Sequence, residues 1–182
     1  MRYLVFGFLF LCLSGQGYGQ DYVPVDKRSN IKFIIKNFAV NVNGSFRGLA
    51  GTIHFNERDL PGSFCKVQVD ANTVNTGINA RDNHLRKPDY LDVRQFPVIS
   101  FDSDKITESG KPGQYLMNGK LSIKGHSLEI SIPFTVEKEQ DGLVFSGSVG
   151  INRRDFSVGG SSLILSDNLT ISLVVFAIPV NH

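Results

Sequence analysis

The segment Phe64-Cys65-Lys66-Val67-Gln68-Val69-Asp70-Ala71-Asn72-Thr73-Val74 decides the fold class. Cys65, Val67, Val69 and Ala71 alternate with Lys66, Gln68, Asp70 and Asn72. A period of two puts the apolar set on one face of a strand and the polar set on the other. The pattern recurs on both sides of this segment. Ile31, Phe33 and Ile35 alternate with Lys32, Ile34 and Lys36, and Leu128, Ile130, Ile132, Phe134 and Val136 alternate with mostly polar partners. Leu169, Ile171, Leu173 and Val175 continue it until Val174 and Phe176 make both faces apolar. Four further strand-like stretches lie around residues 48–56, 98–106, 114–123 and 143–152. Turn formers separate the runs: Asn43-Gly44, Leu60-Pro61-Gly62, residues 109–113, Lys124-Gly125-His126 and Asp141-Gly142. The expected fold is all-β, an eight-stranded antiparallel barrel. Closure removes exposed edges, and eight strands enclose room for one small ligand.

One stretch breaks the strand pattern. In residues 78–97, Ile78, Arg81 and Leu85 fall on one face of a short helix, with Asp82 and Arg86 as an i,i+4 opposite-charge pair beside it. Asn79 is a candidate cap. Pro88 ends the helix and opens another turn through Asp89, Tyr90 and Leu91, so a short helical insert is expected around residues 78–92.

Composition bounds the rest. Arg2 and the apolar run Leu4 to Leu13, followed by Gly17 and Gly19, read as a secretory signal peptide over residues 1–19. That leaves residues 20–182 as one domain. Cys12 lies inside the apolar run, which argues against a lipid anchor there. The expected location is periplasmic or secreted. After cleavage Cys65 stands alone, so stability must come from packing rather than from a disulfide. A net charge of +2 with interspersed signs gives no footprint for nucleic acid. Lys32, Lys36, Lys66, Lys120 and Lys124 interrupt the apolar segments, so no transmembrane segment is expected in the mature chain.

Chemistry is sparse. His54, His84, His126 and His182 show no metal-ligand spacing, no G-x-S-x-G elbow occurs, and Cys65 sits in a regular strand rather than at a turn. His84 has Arg81, Asp82, Asp89 and Asp92 near it in sequence, a set that suits a polar network pinning the insert better than acid–base catalysis. Asp89 and Asp92, three apart on one element, do not match a glycosidase pair. The expectation is a non-enzyme with no cofactor and no metal. The apolar content says more: the chain has fourteen Phe and no Trp, and the phenylalanines fall on nearly every strand. A barrel interior must be filled or must hold something, and such a lining suits a hydrocarbon chain.

Several runs then fall in order along the mature chain. They are Ser29-Asn30-Ile31-Lys32-Phe33, Gly44-Ser45-Phe46-Arg47-Gly48, Gly51-Thr52-Ile53-His54-Phe55 and Arg81-Asp82-Asn83-His84-Leu85 with Asp89-Tyr90-Leu91-Asp92. After them come Phe96-Pro97-Val98-Ile99-Ser100-Phe101, Gly119-Lys120-Leu121-Ser122-Ile123-Lys124-Gly125 and Arg154-Asp155-Phe156-Ser157-Val158-Gly159. Together they resemble the YceI-like family, bacterial secreted polyisoprenoid-binding proteins with a lipocalin-like barrel. The resemblance implies a long apolar pocket for an isoprenoid or other long-chain amphiphilic lipid, a carrier role, and a possible homodimer. On that reading Phe33, Phe46, Phe55, Val67, Val69, Leu85, Phe101, Leu121 and Phe156 are expected in the wall. Arg81, Arg154 or His84 is expected near the mouth to meet a polar head. A filled barrel serving as a protein-interaction accessory is the alternative, and a hydrolase or isomerase using His84 a third.

Overall fold

The computed structural model describes residues 19–180, the side chain of Asp104 excepted. The expected signal segment, apart from Gly19, and His182 lie outside the described residues. The strands are β1 (Gln20–Pro24), β2 (Asn30–Asn37), β3 (Val40–Phe55), β4 (Phe64–Asn75), β5 (Val98–Glu108), β6 (Gln114–Ile123), β7 (His126–Glu139), β8 (Gly142–Asn152) and β9 (Leu165–Pro179). One α-helix, α1 (Asn79–Leu85), follows β4, and 3-10 turns occupy Asp26–Arg28 and Arg153–Phe156.

Every pairing is antiparallel, in the order β3-β2-β9-β8-β7-β6-β5-β4, and β4 pairs back onto β3 to close the ring. The barrel therefore has the expected eight strands. The short β1 is an addition: it pairs with both β3 and β9, matching Asp21 to His54 and Val23 to Ile178, beyond the point where β2 begins. Closure leaves few unpaired strand edges. Chain direction sorts the connections to two ends. The turn after β2, the α1 insert, the turn after β6 and the segment after β8 share one end, while β1 and residues 56–63, 109–113 and 140–141 share the other.

Two glycines explain how the sheet coils and where one turn falls. Gly51 has φ +136°, and a Cβ there would lie 2.1 Å from the Lys66 carbonyl oxygen, so only glycine fits this crossing of β3 over β4. Gly44 pairs with Phe33, whose ring covers the place a Cβ would occupy. Asn43-Gly44, expected as a breaker, is thus inside β3. The hairpin turns at Phe38 and Ala39 instead, both at positive φ (50° and 61°), and β3 begins at Val40 rather than near Gly48.

The insert is also corrected in detail. Ile78, not Asn79, is the N-cap residue, and no side chain caps the helix. The Asp82–Arg86 pair does not form. Asp82 Oδ1 accepts from the Thr76 N–H (2.8 Å) and hydroxyl (2.5 Å), while Arg86 donates to the carbonyls of Asn72 (2.8 Å) and Val74 (3.0 Å). Both charges thereby anchor α1 to the end of β4, Asp82 as acceptor for Thr76 and Arg86 as donor to two strand carbonyls. After Leu85 the chain continues in turns, with Tyr90 N–H on the Lys87 carbonyl. Among the described residues no helix is long and apolar enough to cross a membrane.

Candidate functional site

The barrel interior is neither fully packed nor hollow. At the end away from α1, the rings of Phe55, Tyr115, Phe134 and Phe145 stack with centroids 5.4–6.3 Å apart and plug the barrel. Above this plug a cavity of about 370 Å³ runs up to the α1 end, a size common for small-ligand pockets. Alternation positions its wall: Ile31, Phe33 and Ile35 of β2, Cys65, Val67 and Val69 of β4, and Leu169, Ile171, Leu173 and Val175 of β9 all face inward.

Ten of the twelve residues expected at a ligand site lie on this wall: Phe33, Phe46, Val67, Val69, Arg81, His84, Leu85, Phe101, Leu121 and Phe156. Two do not. Phe55 faces inward but belongs to the aromatic plug, because β3 carries it to the filled end. Arg154 lies outside the cavity, in a separate polar pocket of about 630 Å³ with Lys124, Asp89 and Ser157. His84 and Tyr90 border both spaces and separate them, their rings 4.7 Å apart.

Polar groups cluster at the α1 end. Arg81 reaches the wall while donating to the Thr76 hydroxyl (2.7 Å) and carbonyl (2.8 Å). Asp82 is buried and committed to Thr76, so it is not poised as a partner for His84. Among the described residues no group of three or more His, Cys, Asp and Glu side chains could hold a metal ion.

Among the wall residues not expected at the site, three polar ones stand out: Arg153, Asn37 and Tyr90. Arg153, 3% exposed, lines the cavity and braces the segment after β8. It continues the inward series Val149, Ile151, so extending the alternation two residues would have found it. Asn37 continues Ile31, Phe33, Ile35 in the same way, and its Oδ1 is buried without a hydrogen-bond partner. Tyr90 gave no periodic signal, because it stands in an irregular turn.

Burial also shapes titration. Cys65, packed into the wall and near Asp102, has its thiol pushed up to about 12 from 9.0. Tyr115 rises to about 12 from 10.0 through burial, its 2.5 Å hydrogen bond to Glu57 and the nearby carboxylates of Glu57 and Glu108. The unfolded chain releases these protons near 9.0 and 10.0, the folded chain only near 12. Across that window the unfolded state binds fewer protons, so stability falls as pH rises. Denaturant midpoints are expected to hold to about pH 8 and decline steadily through pH 9 to 12. A Cys65→Ser/Tyr115→Phe chain should lose most of that slope, and an unchanged slope would show that other groups carry it.

Residues 22–177 match the model of the YceI-like domain. The chain is 27% identical over 158 residues to a UPF0312 protein of Pseudomonas aeruginosa, covering 81% of each. Its fold is similar to that of Burkholderia cenocepacia BcnA, with a TM-score of 0.80 at 22% identity, covering 84% of this chain and 98% of that one. It is also similar to a polyisoprenoid binding domain from Saccharophagus degradans implicated in plant cell wall breakdown. There the TM-score is 0.71 at 16% identity, covering 90% of this chain and all of that one.

Proposed function

Since this chain belongs to the YceI-like family, we propose that it is a periplasmic or secreted carrier whose barrel holds the hydrocarbon tail of an isoprenoid or similar amphiphile. The observation that carries this reading is the polarity of the cavity along its length. Of its polar lining residues, Asn37, Thr76, Arg81, His84, Tyr90 and Arg153 gather at the α1 end, whereas Lys32, Gln68 and Ser100 hold the alternate positions of β2, β4 and β5 between inward aliphatic and aromatic neighbours that run down to the ring plug. An amphiphile matches that gradient, with its tail down and its head at the mouth. A uniformly polar ligand does not. Each methylene moved from water onto the wall contributes about 0.8 kcal/mol, so a few isoprene units suffice for micromolar binding after the cost of association.

The similarity to a polyisoprenoid binding domain supports the same tail chemistry. A catalytic role gains nothing from the geometry, since among the described residues the His84 imidazole has only the Tyr90 ring as its partner. Organic extraction of the purified protein followed by mass spectrometry is expected to release an isoprenoid or a related long-chain lipid. Protein that yields none, and takes up none when an isoprenol is supplied in detergent, would refute the carrier reading and favour an interaction accessory.

A further inference from the structure

We propose that the α1 end of the barrel docks on an anionic lipid surface, with the tip of the β2–β3 hairpin and the Leu163-Ile164 pair seated in the interface, so that the cavity opens onto the membrane. Three independent features meet at this end.

The first is an apolar tip that the fold does not use. Phe38 is 70% and Val40 66% exposed, and Leu163 is fully exposed. The Phe38 N–H donates to the Ile164 carbonyl at 2.9 Å, so the hairpin tip and the Leu163-Ile164 segment stand together. Asn37 pairs with Val40 on one side and Leu165 on the other, and Asn37, Val42 and Leu165 line the cavity. The exposed patch is therefore continuous with the cavity wall. Apolar side chains grouped at a rim in this way mark an interaction site.

The second is a turn whose residues oppose its geometry. A two-residue hairpin loop with both central residues at positive φ is the type favouring Asn-Gly, and a bulky side chain there is strained. Phe38 and Ala39 occupy it at φ 50° and 61°. Phe38 recovers little by packing, its side chain being mostly exposed. A residue whose side chain breaks the local rule with so little packing in the fold marks a position held for function.

The third is charge. In the connections at this end the cations Arg81, Arg86, Lys87, Arg94, Lys124 and Arg154 face only the anions Asp89, Asp92 and Asp155, because Asp82 and Arg153 are buried with partners of their own. At the opposite end Lys27, Arg28, Arg58 and Lys111 are outnumbered by Asp21, Asp26, Glu57, Asp59 and Asp141. An apolar tip ringed by excess positive charge complements anionic headgroups. A second copy docked two-fold on the same face would set these cations against their like.

The inference rests on the carrier reading for its purpose, and the two are separable. In flotation with vesicles of phosphatidylethanolamine and phosphatidylglycerol, the protein is expected to bind, to weaken as salt is raised, and to bind phosphatidylcholine vesicles poorly. Phe38→Asn with Ala39→Gly installs the residues the turn prefers, so the chain should be at least as stable as wild type. It should nonetheless lose vesicle binding by about tenfold or more. Leu163→Ser with Ile164→Ser should do the same. Both variants are expected to take up an isoprenol from detergent as wild type does. Absence of wild-type binding to anionic vesicles, or binding that survives both changes, overturns the docking. Self-association that disappears in Phe38→Asn/Ala39→Gly, without vesicle binding, overturns it in favour of a second copy. If wild type floats but takes up no isoprenol, the carrier reading falls and the docking stands.

Discussion

A chain carrying Val67→Trp and Val149→Trp is expected to fold into the same barrel and to bind isoprenoids about a hundredfold more weakly. β4 and β8 stand four strands apart around a ring of eight, so Val67 and Val149 project from opposite walls, and both border the cavity. Each is only partly buried, so a larger side chain can extend into the cavity. Two indoles there remove room for about four methylenes, or about 3 kcal/mol of tail burial, which is about a hundredfold in affinity. The overpacking penalty of about 1–3 kcal/mol per change falls on stability and is read separately by thermal unfolding. The chain has no natural tryptophan, so either single substitution also places one reporter in the wall. Its emission is expected to change on adding an isoprenol. Undiminished affinity in the double substitution, measured by displacement of a fluorescent isoprenol analogue, would mean that the tail lies elsewhere.

Much of this fold was legible because sheet geometry has a period of two. Wherever alternation was unbroken, as in Cys65, Val67, Val69 or Leu169, Ile171, Leu173, Val175, the apolar set is the one that borders the cavity, and closure followed from strand number and turn spacing. The errors arise where a local signal competed with a long-range contact. Asn43-Gly44 is a strong turn signal, yet Gly44 is held in β3 by the Phe33 ring from the neighbouring strand, a contact no local window contains. The actual turn at Phe38-Ala39 carries none of the usual turn residues.

The site was legible along its strands and less so across the barrel. Phe55 has the correct face but the wrong height, since alternation fixes which side a residue faces and not how far along the barrel packing is complete. Arg154 was favoured over Arg153 by the same incompleteness. The inward series on β8 runs through Val149 and Ile151 to Arg153, but a charged residue was not expected to continue it, because burying a charge requires partners that the sequence does not display. Those partners are backbone carbonyls of the irregular segment after β8 and of the start of β9, with the Asp167 carboxylate. For the insert, residue types were read correctly and pairings were not. Asp82 and Arg86 have the spacing of a helical ion pair, but each finds a better-placed partner at the end of β4.

Replacing Arg153 by methionine is expected to destabilise the protein by about 2–4 kcal/mol, whereas the same change at Arg154 should stay within about 0.5 kcal/mol. Arg153 is 3% exposed and spends its donors on one short segment. Its Nε donates to the Ser166 carbonyl (2.9 Å), Nη1 to those of Val158 (2.8 Å) and Gly160 (3.0 Å), and Nη2 to that of Leu165 (3.5 Å) and to the Asp167 carboxylate (2.6 Å). Two of those carbonyls, of Val158 and Gly160, belong to residues 157–164, which have no strand partner, and the other two to the start of β9. Methionine keeps much of the volume but leaves the acceptors unmet and the carboxylate unpaired. Lysine keeps the charge but offers three donors from one point, so it should recover only part of the loss. Arg154 is exposed and its guanidinium has no partner among the described residues. At a melting shift of about 2–4 °C per kcal/mol, Arg153→Met should melt about 10 °C lower. The damage should also be directional. Gly159 N–H donates to the Asp89 carbonyl at 2.8 Å and Lys124 Nζ to the Ser157 carbonyl at 2.8 Å, so the braced segment joins α1's insert to the rim. Amide exchange should therefore accelerate first in residues 157–164 and in the insert, and last at the aromatic plug. Equal melting temperatures for Arg153→Met and Arg154→Met would show that the segment holds the rim without its buried guanidinium.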